Sequence, residues 1–406
     1  VLTLFSANAL EAVFTPRHGE SSAPARAIAA VPVPVVARLR ETADHISLAT
    51  DGLDIVVHKR PFHVAYRFQG RPLIQEECGY FERDGVQGFR FHLNKTEKLF
   101  GGGSRALGKM NRRGERLELY NSACYAYEAE ARLMYYSMPA VVSSKKYLLA
   151  FDNSARGHLD LDSASDGILQ FEAIDGRMSY LLVAGESWPD LCGRIADLTG
   201  HQPLLPRWAL GDIASRMGYH SQAEVEAVVA GYLRDAIPLD AIILDLFWFG
   251  NSIYGNIGNL DWDRAAFPDP EGMLARLAAQ GIKTILITEP IVLKNSKNWT
   301  NAVENGVLAT DAAGLPYTFN SFFGEAGLID MFAPAPRDWF WNFYKKHTLS
   351  GVAGWWGDLG EPETHPDDIL HATGRGDELH NAYGHEWAGM VAKGYQRDFP
   401  DRRLFN

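Results

Sequence analysis

The sequence predicts an antiparallel β-sandwich followed by a (β/α)8 TIM-barrel domain, of which roughly the first half is present. Three observations carry this prediction. Short strand-like runs fill residues 1–186; strand-like and helix-like segments alternate from residue 207 onward; and Asp212, Asp245, Glu289 and Asp358 each close a predicted strand of that second region.

The first region reads as β because its apolar residues alternate. "HISLAT", "LDIVVHK", "FHVAYRF", "GFRFHL" and "SYLLVAG" are separated by Gly, Asp, Asn and Pro at short intervals. That spacing is the pattern of a sandwich. Residues 187–206 read as an amphipathic helix, "SWPDLCGRIADLTG", and a proline-containing linker. Beyond it, "WALGDIAS" is a predicted strand and "SQAEVEAVVAGYLRDA" a helix, with Ser221 at the N-cap and Glu224 at the capping-box position. "LDAIILDLFW" is nearly continuous in apolar residues, as a strand covered on both faces should be. The helix "DPEGMLARLAAQG", the strand "IKTILITEP" and an insertion over about 291–335 come next. "PRDWFWNFYKKHTLSG", "VAGWWGDLG" and "HNAYGHEWAGMVAKGYQRD" continue the alternation, and "RRLFN" opens a fifth strand. Successive βα units demand a parallel sheet. Acids at four strand ends favour a barrel, whose active face lies there. A doubly wound sheet would more often carry a Gly-rich phosphate turn after its first strand, and "DIASRMGYHS" has none.

Bulk properties remove several functions. The formal charge of −11 argues against a nucleic-acid partner. Cys78, Cys124 and Cys192 form no CxxC pair, so no zinc framework or other cofactor site is expected. No apolar run reaches the length of a membrane span. The start, "VLTLFSANAL", lacks a basic region and an initiator Met. The reading leans toward a periplasmic or secreted protein whose signal peptide has been removed, and a cloning boundary fits the same residues. Oligomeric state leaves no mark.

The chemistry-bearing residues cluster at "GWWGDLGEPE". Two carboxylates beside aromatic walls are the parts of a glycosidase. Asp358 next to Trp356 suits a nucleophile, while Glu361 also fits a loop acid bonding backbone amides. Asp245 is either a solvated strand-end residue or a ligand for substrate hydroxyls, and Glu289 poses the same choice. Asp212 and Arg216 read as an ion pair ordering the first loop. His365, His371, Asp367 and Asp368 match no standard metal spacing and read as a solvated loop. "FGGGSRALG" lacks a P-loop Lys and reads as a tight turn or a loop near the substrate.

These pieces, taken in order, resemble glycoside hydrolase family 31, the family of α-glucosidases, α-xylosidases and 4-α-glucosyltransferases. "FGGGSRALGKMNRRGERLELYN", "PRWALGDIASRMGY", "IPLDAIILDLFWF", "FPDPEGMLARLAAQGIKTILITEPIV" and "GWWGDLGEPE" follow the family's order. The resemblance implies a retaining, exo-acting enzyme on α-gluco-oligosaccharides, without a cofactor. It implies Asp358 as nucleophile, Trp356 and Ile287 as walls of the sugar pocket, Asp245 as a ligand of sugar hydroxyls and Glu361 as a supporting acid. Leu246 and Glu289 stand beside these as candidate substrate contacts. Two departures matter. The family's N-domain loop presents an aspartate where "YNSACYAY" has Ala123, which bears on which sugar is taken. The family's acid/base aspartate lies on a later strand, so it is expected beyond Asn406, and the open edges of a half-barrel lead one to expect more chain. Two rival readings are a non-catalytic sugar-binding relative and a metal-dependent barrel hydrolase.

Overall fold

The structure is a computed structural model that describes residues 1–15 and 24–406. It divides into two compact units: residues 1–202 with 378–382, and residues 203–377 with 383–406.

The first unit is a sandwich of two antiparallel sheets, one of six strands and one of nine. The alternation seen in the sequence works as expected: Leu53, Ile55, Tyr66, Phe68, Phe89 and Phe91 all point into one core. Each such side chain contributes about 1.5–3 kcal/mol when fully buried. Polar atoms inside are paired, for example Tyr180 Oη donating to Glu76 Oε1 at 2.6 Å. Ser187 caps the helix Trp188–Thr199 by accepting the Asp190 amide at 3.2 Å. Leu191 and Leu198 then pack that helix against Leu181 and Val183 of the sandwich. This packing is why the division falls after Gln202. Residues 378–382 join the first unit through Asn381, whose side chain donates to the carbonyls of Leu119 (3.0 Å) and Ala155 (3.1 Å).

The glycine run is a strand, Leu99–Gly103, and this corrects its reading as a turn or substrate loop. Gly101 has φ 123°, and a Cβ there would lie 2.6 Å from the Ala140 carbonyl oxygen. The glycines are present because the neighbouring strand Ser137–Ser143 comes too close for a side chain. Gly101→Ala is therefore expected to destabilise the sandwich by roughly 2 kcal/mol or more. Denaturant unfolding checks this, and an unchanged midpoint would contradict it.

The second unit holds a four-stranded parallel sheet in the order Ile213–Ala214, Ala241–Leu244, Lys283–Thr288, Gly354–Gly357. These are called the first to fourth barrel strands. Helices Gln222–Arg234, Pro270–Ala279 and Pro334–Leu349 connect them, and Tyr383–Asp398 follows. Ser221 caps its helix by accepting the Glu224 amide at 3.2 Å. Phe405 O accepts the Trp355 amide at 3.0 Å, the first rung of a fifth position. Within the insertion, Ile291–Leu293, Phe319–Ser321 and Gly324–Leu328 form a separate antiparallel sheet.

The start of this unit differs from expectation. "WALGDIAS" is a 3-10 turn, Arg207–Leu210, and then only a two-residue strand. Trp208 packs on Phe405 with ring centroids 5.1 Å apart, so its apolar character fills space rather than marking a strand. Among the described residues, no helix is long and apolar enough to cross a membrane.

Candidate active site

Register decides which side chains share a face. In the parallel ladder Ile285 pairs with Gly354 and Ile287 with Trp356. Ile243 pairs with Ile285, which puts Asp245 one residue past the last pair, level with Ile287. Asp358 continues the fourth strand, its amide donating to Thr288 O at 2.9 Å, level with Glu289. Side chains alternate along strands. Asp245, Ile287, Glu289, Trp356 and Asp358 therefore fall on one face.

The opposite face is covered by helices. Thr288 Oγ1 and Tyr344 Oη lie 2.6 Å apart, and Trp387 Nε1 donates to the same Tyr344 oxygen at 3.0 Å. Trp355 packs its ring 4.4 Å from that of Tyr344. Gly357 is small because a Cβ there would lie 3.2 Å from Trp387. The "WWGD" stretch thus sends Trp355 under helices and leaves Trp356 and Asp358 on the opposite face. The chain leaves Asp358 through Leu359 at φ 59°, a left-handed conformation that is costly for leucine and common near functional sites.

Among the described residues, the groups named as acting on the carboxyls of this face are acids and backbone amides. Burial pushes Asp358 up to about 6; the Leu359 amide opposes this, while Glu361, Asp245 and Glu363 add to it. Asp245 is also raised by burial, against one hydrogen bond from the Leu246 amide at 2.7 Å. Glu289 is 1% exposed, and among the described residues neither of its carboxyl oxygens has a hydrogen-bond partner. Burial drives its pKa far upward, and Asp358 and Asp245 push it further. Glu361 is raised by burial as well, and among the described residues its Oε2 has no hydrogen-bond partner. None of the groups that shift these four acids is a cation.

The structure brings together Asp245, Ile287, Glu289, Trp356, Asp358 and, in the following loop, Glu361. Leu246 is buried and meets Asp245 through its backbone amide. Asp212 does not join them, and this is a correction. It precedes Ile213, so it stands at the N-terminal end of the first barrel strand and is exposed. Its backbone carbonyl accepts the amides of Asp240 and Ala241, while Arg216 lies 3.7 Å from Glu224 instead of pairing with Asp212. Three acids at strand ends, not four, line the face. Ala123 belongs to the first unit.

His365 and His371 are buried, which corrects their reading as a solvated loop. Their Nε2 atoms are 2.8 Å apart, and His371 Nδ1 lies 3.1 Å from Asp330 Oδ1. Burial raises the Asp330 carboxyl, but the His371 hydrogen bond and charge and two backbone amides bring it below the usual value. Asp368 accepts from Tyr317 Oη at 2.8 Å. Among the described residues, no group of three His, Cys, Asp or Glu is arranged to hold a metal ion. Sequence reasoning missed Glu363, which acts on both Asp358 and Glu361, although it ends the quoted "GEPE". It also missed Trp387 and Tyr344, and no local pattern marks either.

Known protein families match both parts of the chain. The glycosyl hydrolases family 31 TIM-barrel domain matches residues 202–406, and the family 31 N-terminal galactose mutarotase-like domain matches residues 2–160. The chain belongs to glycoside hydrolase family 31. An alpha-glucosidase 2 of Bacillus thermoamyloliquefaciens is 28% identical over 97% of this chain and 51% of its own length. An alpha-xylosidase of Saccharolobus solfataricus is 29% identical over 76% of this chain and 40% of its own. A Flavobacterium johnsoniae GH31 dextranase, solved in complex with glucose, superposes with TM-score 0.89 at 27% identity, over 100% of this chain and 51% of that one. The chain thus spans about half the length of these relatives. The family 31 assignment gives the fold as an N-terminal mutarotase-like sandwich followed by the family's barrel, here in part.

Proposed function

We propose that the intact protein is a retaining, exo-acting α-glucosidase on α-gluco-oligosaccharides, with Asp358 as its nucleophile. The observation that carries this reading is Asp358 itself. It is the partly accessible acid of this face, beside Trp356, and burial pushes its pKa up to about 6. Asp358 attacks the anomeric carbon; the glycosidic C–O bond breaks, and the leaving oxygen takes a proton from the enzyme's general acid. Water then attacks the glycosyl ester, and the acid, now a base, takes the water's proton. Two inversions give net retention. Asp245 supports the reading as a ligand for sugar hydroxyls, with Trp356 and Ile287 as pocket walls.

The sugar is read as glucose from the Bacillus relative and the glucose-bound dextranase. The alpha-xylosidase relative supports xylosides as a second reading, and Ala123 adds to it, since the family's usual aspartate is absent there. The test is a 5-fluoro-α-glucosyl fluoride trap on the intact protein. One glycosyl unit on the peptide holding Asp358 is expected. A label on another residue would refute the assignment. Labelling only by the xylosyl analogue would change the sugar. Products longer than a malto-oligosaccharide substrate would identify a 4-α-glucosyltransferase.

A further inference from the structure

His365, His371 and Asp330 are buried titratable groups that this mechanism leaves unused. They come from two parts of the second unit. Asp330 follows the insertion strand Gly324–Leu328 and is anchored at the end of the third barrel strand. There the Ile329 amide donates to Pro290 O at 3.0 Å, next to Glu289, and the Asp330 amide donates to Val307 O at 2.9 Å. His371 is fixed to the same insertion, because Leu370 and Thr310 exchange both backbone hydrogen bonds, at 2.8 and 2.9 Å. His365 belongs instead to the loop that leaves the fourth barrel strand through Asp358. Between Asp358 and His365 lie Glu361 and Glu363, which together with Asp245 are the acids that push the Asp358 pKa upward.

The donors decide where the protons sit. Asp330 accepts from the amides of Phe332 (3.0 Å) and Ala372 (2.8 Å), and its Oδ1 lies 3.1 Å from His371 Nδ1. Burial works against its charge, and these donors outweigh burial. A carboxylate only accepts, so His371 Nδ1 carries a proton. In neutral His371 the Nε2 atom is then an acceptor. The 2.8 Å contact between the two Nε2 atoms therefore has His365 as its donor. Donation runs from His365 to His371 to Asp330 and ends on an anchored anion. The pair is enclosed. The Tyr383 ring lies 5.8 Å from that of His365 and 6.0 Å from that of His371, and a Cβ on Gly376 would lie 3.3 Å from His365 Nε2. Tyr383 is the other titratable group at the pair; its hydroxyl donates to Ile329 O at 2.7 Å and feels the Asp330 charge. Water does not compete for a hydrogen bond closed in this way, and removing one partner leaves the other unsatisfied.

We propose that His365 is a positioning residue: through His371 it ties the loop after Asp358 to the anchored Asp330, and so holds Glu361 and Glu363 near the nucleophile. This role rests on Asp358 being the nucleophile. The loop needs a second anchor because it leaves Asp358 through Leu359 at φ 59°, a conformation that leucine adopts only at a cost. The tie joins the segments that follow the third and fourth barrel strands, which carry Glu289 and Asp358. When it is cut, Glu361 and Glu363 turn toward water. Their like charge then weighs less on Asp358, which releases its proton at lower pH.

The test compares His365→Gln and His365→Leu in the intact enzyme, reading kcat, KM and the pH dependence of kcat/KM. Gln keeps an N–H near the Nε2 position, so kcat/KM should stay within about threefold and the acid limb should not move. Leu removes the donor, so kcat should fall roughly tenfold, KM should change less than about threefold, and the acid limb should move down by about half a pH unit. His371→Phe should reproduce the Leu result, and the double variant should add little to either, because one chain of hydrogen bonds carries both effects. A Leu variant that melts earlier but keeps its kcat and its acid limb would make the pair packing alone and overturn the proposal. So would a Gln variant as impaired as Leu. If Leu does not fold, nitrogen NMR of labelled histidine in the wild type decides: a protonated His365 Nε2 facing a bare His371 Nε2 supports the tie, and the reverse ends it. Fluoride trapping of the wild type runs in parallel. No label on Asp358 refutes the nucleophile assignment, and the role of His365 falls with it. A label on Asp358 with an unchanged Leu variant refutes the tie alone.

Discussion

Asp358→Ala in the intact enzyme is expected to lower kcat by about 10^4-fold or more, without loss of fold. On the proposed reading the Asp358 carboxylate is the nucleophile of the covalent step, and no neighbouring carboxylate takes over that role. Asp245 is buried and its oxygen is held by the Leu246 amide. Glu289 is buried, with both carboxyl oxygens closed to solvent. Added azide should then restore part of the activity, because the small anion fits the space vacated by the carboxylate and attacks the same face of the anomeric carbon. The product should be the β-glycosyl azide, in contrast to the α-configured product of the wild type. A variant retaining more than about a tenth of its activity would remove Asp358 from the mechanism. Rescue giving an α-azide, or none, would make it a base or a structural acid.

The three acids that share this face were legible because each follows a run that has to be a buried strand. "AIIL", "KTILIT" and "GWWG" leave little choice of structure, so the residue after each must stand at the strand's open end. Asp212 was misplaced for the converse reason. The strand beside it has two residues, and the apolar Trp208 before it serves packing against Phe405. The glycine run misled because close strand pairing and a tight turn leave the same mark in a sequence. His371 and Asp330 are 41 residues apart, so no local pattern could join them. That Glu289 has no hydrogen-bond partner among the described residues is a fact of packing from several elements, and the sequence contains no sign of it.

Asp358→Asn should also raise stability above pH 6, and the sign follows from where its proton is held. The folded protein releases it at about 6, against an ordinary value of 3.8. Between those values the folded state binds more protons than the unfolded chain, so stability falls as pH rises through that window and then levels. The difference corresponds to about 3 kcal/mol at most, and solvent at the partly exposed carboxyl brings it to about 1–3 kcal/mol. Asparagine has no proton to lose, so the variant escapes this cost. Its melting temperature should match the wild type near pH 4 and exceed it by roughly 2–10 °C at pH 8. The same ionisation sets the acid limb of kcat/KM in the wild type, which should fall about tenfold per pH unit below that value. Equal melting temperatures at pH 8 would mean that a cation or hydrogen-bond donor in the intact protein compensates the charge. In that case the acid limb should move down with it, toward the ordinary carboxylate range. The two measurements must agree, because one proton governs both.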